Sequence, residues 1–245
     1  MTNKIFKNLK LGLAGLVLAG TLNQCTLPHL IALKKYTPLT TEQKDSLELN
    51  PGLREFLDKV YIIKKKDFEN NVAAHTHRWD GVLCLLEKYE KAELLHESAH
   101  VRHLALNKIK SDFSEKWKQI ANFEYGRKNV DHLYLLSFPL RLWNITWRDG
   151  TSGSKNGLLN PYSAKFMYED IATFVESLSY VNEKEWAKKT DFLELYSLFF
   201  ADTTDHRYQQ KLDLLKEYGF FTKEEHKKLS KELGSLNYLL KENKK

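Results

Sequence analysis

The 245-residue chain has few of the residues that dominate small secreted scaffolds and low-complexity proteins. Its two cysteines are too few for a disulfide framework or for a cysteine-rich zinc module. Its 11 glycines and 5 prolines exclude a collagen-like chain, and they supply too few turns for a sandwich or barrel of short strands. Because 42% of the residues are hydrophobic, the chain can form a core. We therefore expect a mainly α, α+β protein.

The chain also lacks a continuous basic stripe. Its formal net charge is +6, from 38 basic and 32 acidic residues, and residues 1–25 hold three lysines and no acid. Glutamate interrupts the basic stretches elsewhere. A nucleic-acid binder needs a basic face, so we expect no nucleic-acid partner and a mixed-charge, solvated surface.

Residues 1–25 have the pattern of an export signal. Three lysines precede an uncharged run of twelve residues from Leu11 to Leu22. This run is shorter than the about 20 residues that a membrane-spanning helix needs. A basic region, a short apolar core and small residues near its end are typical of a secretory signal. We expect residues 26–245 to be extracytoplasmic, either secreted or membrane-anchored.

Cys25 allows a second interpretation of this leader. In a bacterial lipoprotein, a cysteine just past the apolar core is acylated and tethers the chain to the membrane. The preceding Leu22-Asn23-Gln24 fits that processing site poorly, because small residues are preferred there. Lipidation of Cys25, cleavage near Gly20 and retention as a short anchor all remain open.

Hydrophobic periodicity predicts a single domain over residues 26–245, since no linker or repeat follows residue 50. Short strands are predicted at Val60–Ile63 and Gly81–Leu86, with an irregular segment at Asp67–Asp80 between them. Val130–Trp147 is apolar and aromatic and has no clear period. Helices are predicted at Leu53–Val60, Glu87 to about Ile109, Ser111–Phe123, from Asn160-Pro161 onward, Lys184–Phe200, Arg207–Tyr218 and Thr222–Leu240.

The long helix contains His96-Glu97-Ser98-Ala99-His100, an H-E-x-x-H motif. Two histidines one helical turn apart project side by side, as two imidazoles on one zinc ion require. They lie at the edge of an apolar stripe, so we expect them to face a cleft beside the core. The stripe consists of Ala92, Leu95, Ala99 and Leu106. A chance pair of surface histidines is the alternative.

A catalytic zinc ion needs a third protein ligand. His103 lies seven residues from His96, a helical rise of about 10.5 Å, so both cannot bind one metal ion. The metzincin extension is absent, because it requires glycine at 103 and histidine at 106, where this chain has His103 and Leu106. Four other histidines have no partner that the sequence identifies: His75, His77, His132 and His206.

The helix after Asn160 offers a third ligand. One face is apolar, and the opposite face carries Tyr162, Glu169, Thr173 and Glu176. Such a face is either solvated or part of a site. Glu169 and Glu176 are two turns apart, about 10.5 Å along the axis, so only one of them can contact the metal.

His96-Glu97-x-x-His100 followed by Glu169-Asp170-Ile-Ala172 resembles the gluzincin branch of the zincin metallopeptidases. The segment Pro161-Tyr162-Ser163 is similar to one in the anthrax lethal factor catalytic domain and in bacterial zinc peptidases. The resemblance covers two short segments, and Thr173 stands where these enzymes often have an acid. It implies a zincin-like domain with a short edge sheet packed on the active-site helix. It also implies zinc bound by His96, His100 and Glu169.

The resemblance implies a role for each further site residue. Glu97 is the expected general base, and Tyr162 is expected to stabilise the oxyanion. Asp170 and Glu176 could orient the ligand imidazoles, although both are as readily surface acids. The strand Gly81–Leu86 is expected to be the edge that pairs with an extended substrate.

The sequence therefore predicts an exported zinc metallopeptidase, a monomer acting on a peptide or protein substrate. Two alternatives stay open. One is a zincin-fold protein that keeps the site but binds or signals without cleaving. The other is a helical envelope lipoprotein with a structural or binding role, in which the motif is a coincidence.

Overall fold

The computed structural model describes residues 33, 35–64, 74–77, 81–134, 143–147, 156–183 and 205–231. The predicted export signal with Cys25, the helix predicted at Lys184–Phe200 and the end of the last predicted helix lie outside these residues. Within the described ranges, no helix is both long enough and apolar enough to cross a membrane.

The described part is mainly helical with small sheets, which confirms the predicted class in its coarse form. The helices are α1 (Thr41–Asp45), α2 (Pro51–Arg54), α3 (Lys91–Lys108), α4 (Phe113–Ala121), α5 (Met167–Glu183) and α6 (Arg207–Glu217). A further helical segment covers 223–231. The strands are β1 (Val60–Ile63), β2 (Ala74–His77), β3 (Val82–Leu86), β4 (Val130–Tyr134) and β5 (Trp143–Trp147). Two 3-10 turns cover Arg127–Asn129 and Tyr162–Ala164.

The first sheet has the strand order β1-β3-β2. Strand β1 runs parallel to β3, and β2 runs antiparallel to it. The prediction that Gly81–Leu86 forms an edge is therefore wrong, because β3 is paired on both sides. Its continuous apolar run is the pattern of a strand buried on both faces, which is what a central position requires. The edge next to β3 is β2, inside the segment predicted to be irregular.

Strands β4 and β5 form a separate antiparallel pair, with Val130 opposite Trp147 and Tyr134 opposite Trp143. They account for the ends of the stretch Val130–Trp147, whose period the sequence left unassigned. Aromatic and β-branched residues favour this pleated conformation.

Helices α3 and α5 pack against each other at the centre of the main core. The predicted stripe of α3 is buried at Leu95, Ala99 and Leu106. Aromatic side chains from α4 extend the core: Phe113 stacks on Phe220 with ring centres 5.1 Å apart. Burial of these apolar faces, about 25 cal/mol per Å², supplies the main force that holds the helices together.

The start of the second site helix differs from the prediction. Asn160 acts as a cap, since its Oδ1 accepts a hydrogen bond of 2.9 Å from the Ser163 backbone N–H. The residues that follow form only the 3-10 turn Tyr162–Ala164, and the α-helix begins at Met167. Tyr162 and Glu169 therefore lie on two separate pieces of regular backbone.

Arg102 anchors α3 to two distant parts of the chain. Its guanidinium is almost buried and donates hydrogen bonds to the backbone oxygens of Gly52, at 3.0 Å, and Tyr218, at 2.6 and 3.0 Å. The ring of Phe56 lies 4.0 Å from the guanidinium carbon. Glycine at 52 lets the Gly219 backbone pack closely against this segment, because a Cβ at 52 would lie 1.8 Å from the Gly219 oxygen.

We predict that Gly52→Ala destabilises the protein by about 1–3 kcal/mol or more, because the added methyl group overlaps backbone that cannot move away cheaply. Gly126→Ala is the matched control, since a Cβ there meets nothing closer than 3.6 Å and its φ of 168° is extended. Its effect should stay within about 1 kcal/mol. Urea unfolding of both variants measures the difference, and equal stabilities would contradict this account of the anchor.

Candidate metal centre

The candidate site lies where one face of α3 meets the polar face of α5. Helix α3 contributes His96 and His100, and α5 contributes Glu169 and Glu176. The packing of the two helices covers this polar face, so it is not the solvated side of α5. The His96, His100 and Glu169 side chains are only 10–14% exposed.

One carboxylate oxygen of Glu169 lies between the two imidazoles. Glu169 Oε2 is 3.2 Å from His96 Nε2 and 3.4 Å from His100 Nε2. Two ligand atoms on a tetrahedral zinc ion, each at about 2.0–2.1 Å, are about 3.3 Å apart. The three predicted ligands therefore converge with the spacing that one small metal ion needs.

The other ring nitrogen of His96 binds Glu176. Its Nδ1 lies 2.9 Å from Glu176 Oε2. Since a carboxylate only accepts, His96 donates through both nitrogens when it contacts both acids. Burial alone would lower the pKa of His96, but the hydrogen bonds to Glu169 and Glu176 raise it well above its ordinary value. Glu176 thus fixes the ring plane of a predicted ligand.

Glu169 is the most constrained acid of the cluster. Burial alone would raise its pKa, but hydrogen bonds from His100 and His96 lower it strongly. The backbone oxygen of Glu169 accepts a 2.7 Å hydrogen bond from Thr173 Oγ1. Thr173 therefore contacts the backbone of this candidate ligand.

Glu97 belongs to the same cluster, because one ligand atom each of His96, Glu97 and His100 lies within 4.8 Å of the others. Glu169 Oε2 also lies within this limit of both imidazoles, at 3.2 and 3.4 Å, so Glu97 and Glu169 are both candidate acids next to the histidine pair. The backbone oxygen of Glu97 accepts a 2.9 Å hydrogen bond from Thr76 Oγ1. This bond holds edge strand β2 against α3 at the motif.

Tyr162 reaches the cluster from the 3-10 turn. Its ring centre is 6.2 Å from that of His96. Burial and the hydrogen-bonded, negatively charged Glu169 raise the pKa of its hydroxyl. Tyr162 is therefore a protonated hydrogen-bond donor beside Glu169.

Asp170 lies in a different environment from the predicted one. It is fully buried, and its Oδ2 is 2.6 Å from Lys211 Nζ. The same oxygen accepts hydrogen bonds from Trp117 Nε1, at 2.9 Å, and from the Tyr125 hydroxyl, at 2.7 Å. These groups face the core behind α5, so Asp170 stabilises α5 from behind and does not orient an imidazole.

Lys211 is not among the predicted site residues, although its position in the sequence carries a signal. Lys211 is fully buried and also donates a 2.6 Å hydrogen bond to the Gly157 oxygen. It falls within the apolar stripe of α6, between Tyr208 and Leu215. A lysine at such a helical position needs a buried acid, which Asp170 supplies.

His103 faces the core and not the cluster. Its Nε2 is 3.0 Å from Ser114 Oγ and 3.2 Å from Asn107 Nδ2. Burial, with the His100 charge acting in the same direction, lowers the pKa of His103 to about 4. It is thus a neutral core histidine, in agreement with its exclusion as a ligand.

We predict that Lys211→Met destabilises the protein by about 3–5 kcal/mol, because the buried carboxylate of Asp170 loses its counter-ion. Lys118→Met is the control, since Lys118 pairs with Glu115 on the exposed face of α4. That change should cost at most about 1 kcal/mol. Denaturant unfolding at neutral pH measures both, and a small loss for Lys211→Met would show that the buried pair does not support α5.

No protein-family model, curated protein or solved structure matches this chain. Its chemistry is therefore inferred from the site itself. The His96, Glu97 and His100 cluster could hold a metal ion, and Glu169 lies between the two imidazoles.

Proposed function

We propose that this protein is an exported zinc metallopeptidase of the gluzincin type. The observation that carries the proposal is the position of Glu169 Oε2, 3.2 Å from one imidazole nitrogen and 3.4 Å from the other. Residues 73 positions apart in the sequence meet at ligand spacing around an H-E-x-x-H motif. A solvated helix face would not bring them together.

The donor set suits zinc. His96 and His100 offer imidazole nitrogens and Glu169 a carboxylate oxygen, the ligand types of a catalytic zinc site with three protein ligands. Two neutral imidazoles and one carboxylate leave the ion with a net charge near +1. Zinc bound here would supply Lewis-acid polarisation of a carbonyl and of water.

Glu97 is the proposed general base. It lies beside the two ligand histidines, where its carboxylate takes a proton from the attacking water and later gives it to the leaving amine. The Tyr162 hydroxyl is protonated and next to Glu169, so it donates a hydrogen bond to the carbonyl oxygen as negative charge develops. Glu176 holds His96 in position through Nδ1.

The arrangement of α3, α5 and the small sheet supports a zincin-like domain. Strand β2 lies at the sheet edge next to β3 and is bound to the motif helix through Thr76. An extended peptide added along this strand would run past the motif. We propose a peptide or protein substrate, a monomeric enzyme, and an extracytoplasmic location set by residues 1–25.

We predict about one zinc ion per chain in protein purified without chelators, measured by elemental analysis. Glu169→Ala should lose most of the zinc affinity, because it removes a ligand. Glu176→Ala should weaken zinc binding only about 10–100-fold, since it releases the ring of a ligand and removes none. Glu115→Ala, an exposed acid on α4, should have no effect. Absence of stoichiometric metal, or loss of metal only in Glu176→Ala, would contradict the ligand set.

We predict that Glu97→Gln keeps its zinc and loses hydrolysis, because the amide has the same volume and cannot act as a base. Tyr162→Phe should keep zinc and lower kcat by about 10²–10³. Peptide cleavage followed by mass spectrometry, with zinc content measured on the same samples, checks both. A zinc-loaded parent protein that cleaves nothing would instead favour a binding role for the site.

A further inference from the structure

Aromatic rings lead away from both imidazoles of the candidate metal centre, a row of one ring at His96 and a row of two rings at His100. Tyr162 lies beside His96, with ring centres 6.2 Å apart. Tyr168 meets the edge of His100 at 5.5 Å and stacks on Phe166 at 5.0 Å. All three aromatic side chains are partly exposed, so the rows form part of the surface next to the site.

A cation ends each row. Lys165 Nζ lies 4.7 Å from the centre of the Tyr162 ring. The Arg127 guanidinium lies 5.7 Å from the centre of the Phe166 ring. The backbone just before Arg127 is bound to the 3-10 turn, because the Gly126 N–H donates a 2.9 Å hydrogen bond to the Ala164 oxygen. One ring therefore separates Lys165 from His96, and two rings separate Arg127 from His100.

These charges have little local compensation. Within the ranges that the structure describes, neither Lys165 nor Arg127 forms an ion pair with a carboxylate. Burial lowers the pKa of Lys165, the Glu169 charge raises it and the Arg127 charge lowers it. Glu169 is thus the acid whose charge acts on Lys165. A metal ion bound to Glu169 would neutralise that negative charge. A partly buried cation without a neutralising acid favours the binding of an anion.

We infer that Lys165 and Arg127 select substrates that carry a carboxylate close to the scissile bond. This inference rests on the proposed peptidase function and names its substrate class. The carboxylate is either an aspartate or glutamate side chain or the C-terminus of the peptide. The partly exposed aromatic rings next to the cations shield the ion pair between cation and substrate carboxylate from water. They also provide an apolar surface for the adjoining part of the substrate.

Cleavage profiling tests the preference. Zinc-loaded protein is incubated with a random-sequence peptide library carrying amidated C-termini, and in parallel with the same library carrying free C-termini. Mass spectrometry then gives the cut sites. We expect aspartate and glutamate to be enriched within two residues of the cut if side chains are recognised. Cuts confined to the last residues of the free-terminus library would identify the terminal carboxylate.

Matched peptides then assign the preference to the two cations. A glutamate peptide and its glutamine counterpart, taken from a profiled cut site, should differ in kcat/KM by about 10–100-fold. If the terminal carboxylate is recognised, the matched pair is instead one peptide with a free C-terminus and the same peptide with an amidated C-terminus. Lys165→Gln and Arg127→Gln should each reduce the ratio of kcat/KM between the glutamate and the glutamine peptide. Lys165→Arg, which keeps the positive charge, should retain the ratio of the parent protein. Lys128→Gln, the neighbouring exposed lysine paired with Glu124, should leave the ratio unchanged.

A binding measurement separates this inference from the proposed function. Zinc-loaded Glu97→Gln is titrated with fluorescein-labelled acidic and neutral peptides, again with free and amidated C-termini, and anisotropy is read. Tighter binding of a carboxylate peptide, lost in Lys165→Gln, supports the inference even if no peptide is cleaved. Glu97-dependent cleavage without any carboxylate preference, or equal binding of all peptides, would overturn it while leaving the peptidase proposal intact.

Discussion

The contact between α3 and α5 is the constraint on which the candidate site depends. Each helix alone presents its polar residues at a fixed spacing, but neither can surround a metal ion. Because apolar stripes on both helices are buried in one core, the packing sets their rotation and separation. That packing places Glu169 between His96 and His100. Asp170 fixes α5 from the opposite side, through the buried Lys211.

This packing has an electrostatic cost that the site itself offsets. Glu169 is buried, and a buried carboxylate is stable only when it is paired. In the structure His96 provides the pairing by donating protons to Glu169 and Glu176 at once. A metal ion bound at Nε2 would replace one of these protons with a stronger positive charge. The buried carboxylate would therefore have a positively charged partner with or without the ion.

The sequence predicted the parts of the site that depend on local spacing, and the fold supplied the rest. Helical periodicity predicts that the two histidines share one face and that the acids at 169 and 176 share another, whereas the meeting of the two faces was expected only from the resemblance. The edge strand could not be assigned from the sequence, because Ala74–His77 is only four residues long and its strand conformation depends on pairing with β3. The role of Asp170 did not follow either, since no motif connects it with its partner Lys211, 41 residues further along the chain. Adjacent acids on one helix can face opposite environments.

The anchor formed by Arg102 bears on how this chain can vary during evolution. The guanidinium binds backbone oxygens, which every amino acid provides, so the side chain at Tyr218 can change without loss of these hydrogen bonds. Size and backbone conformation restrict the two nearby glycine positions, since Gly219 has a φ of 74°. Gly52 and Gly219 leave room for the backbone and the guanidinium, and a Cβ at Gly219 would lie 2.8 Å from Arg102 Nη2. In distant homologues we expect these two glycines and the arginine to persist together, while the residues around them diverge.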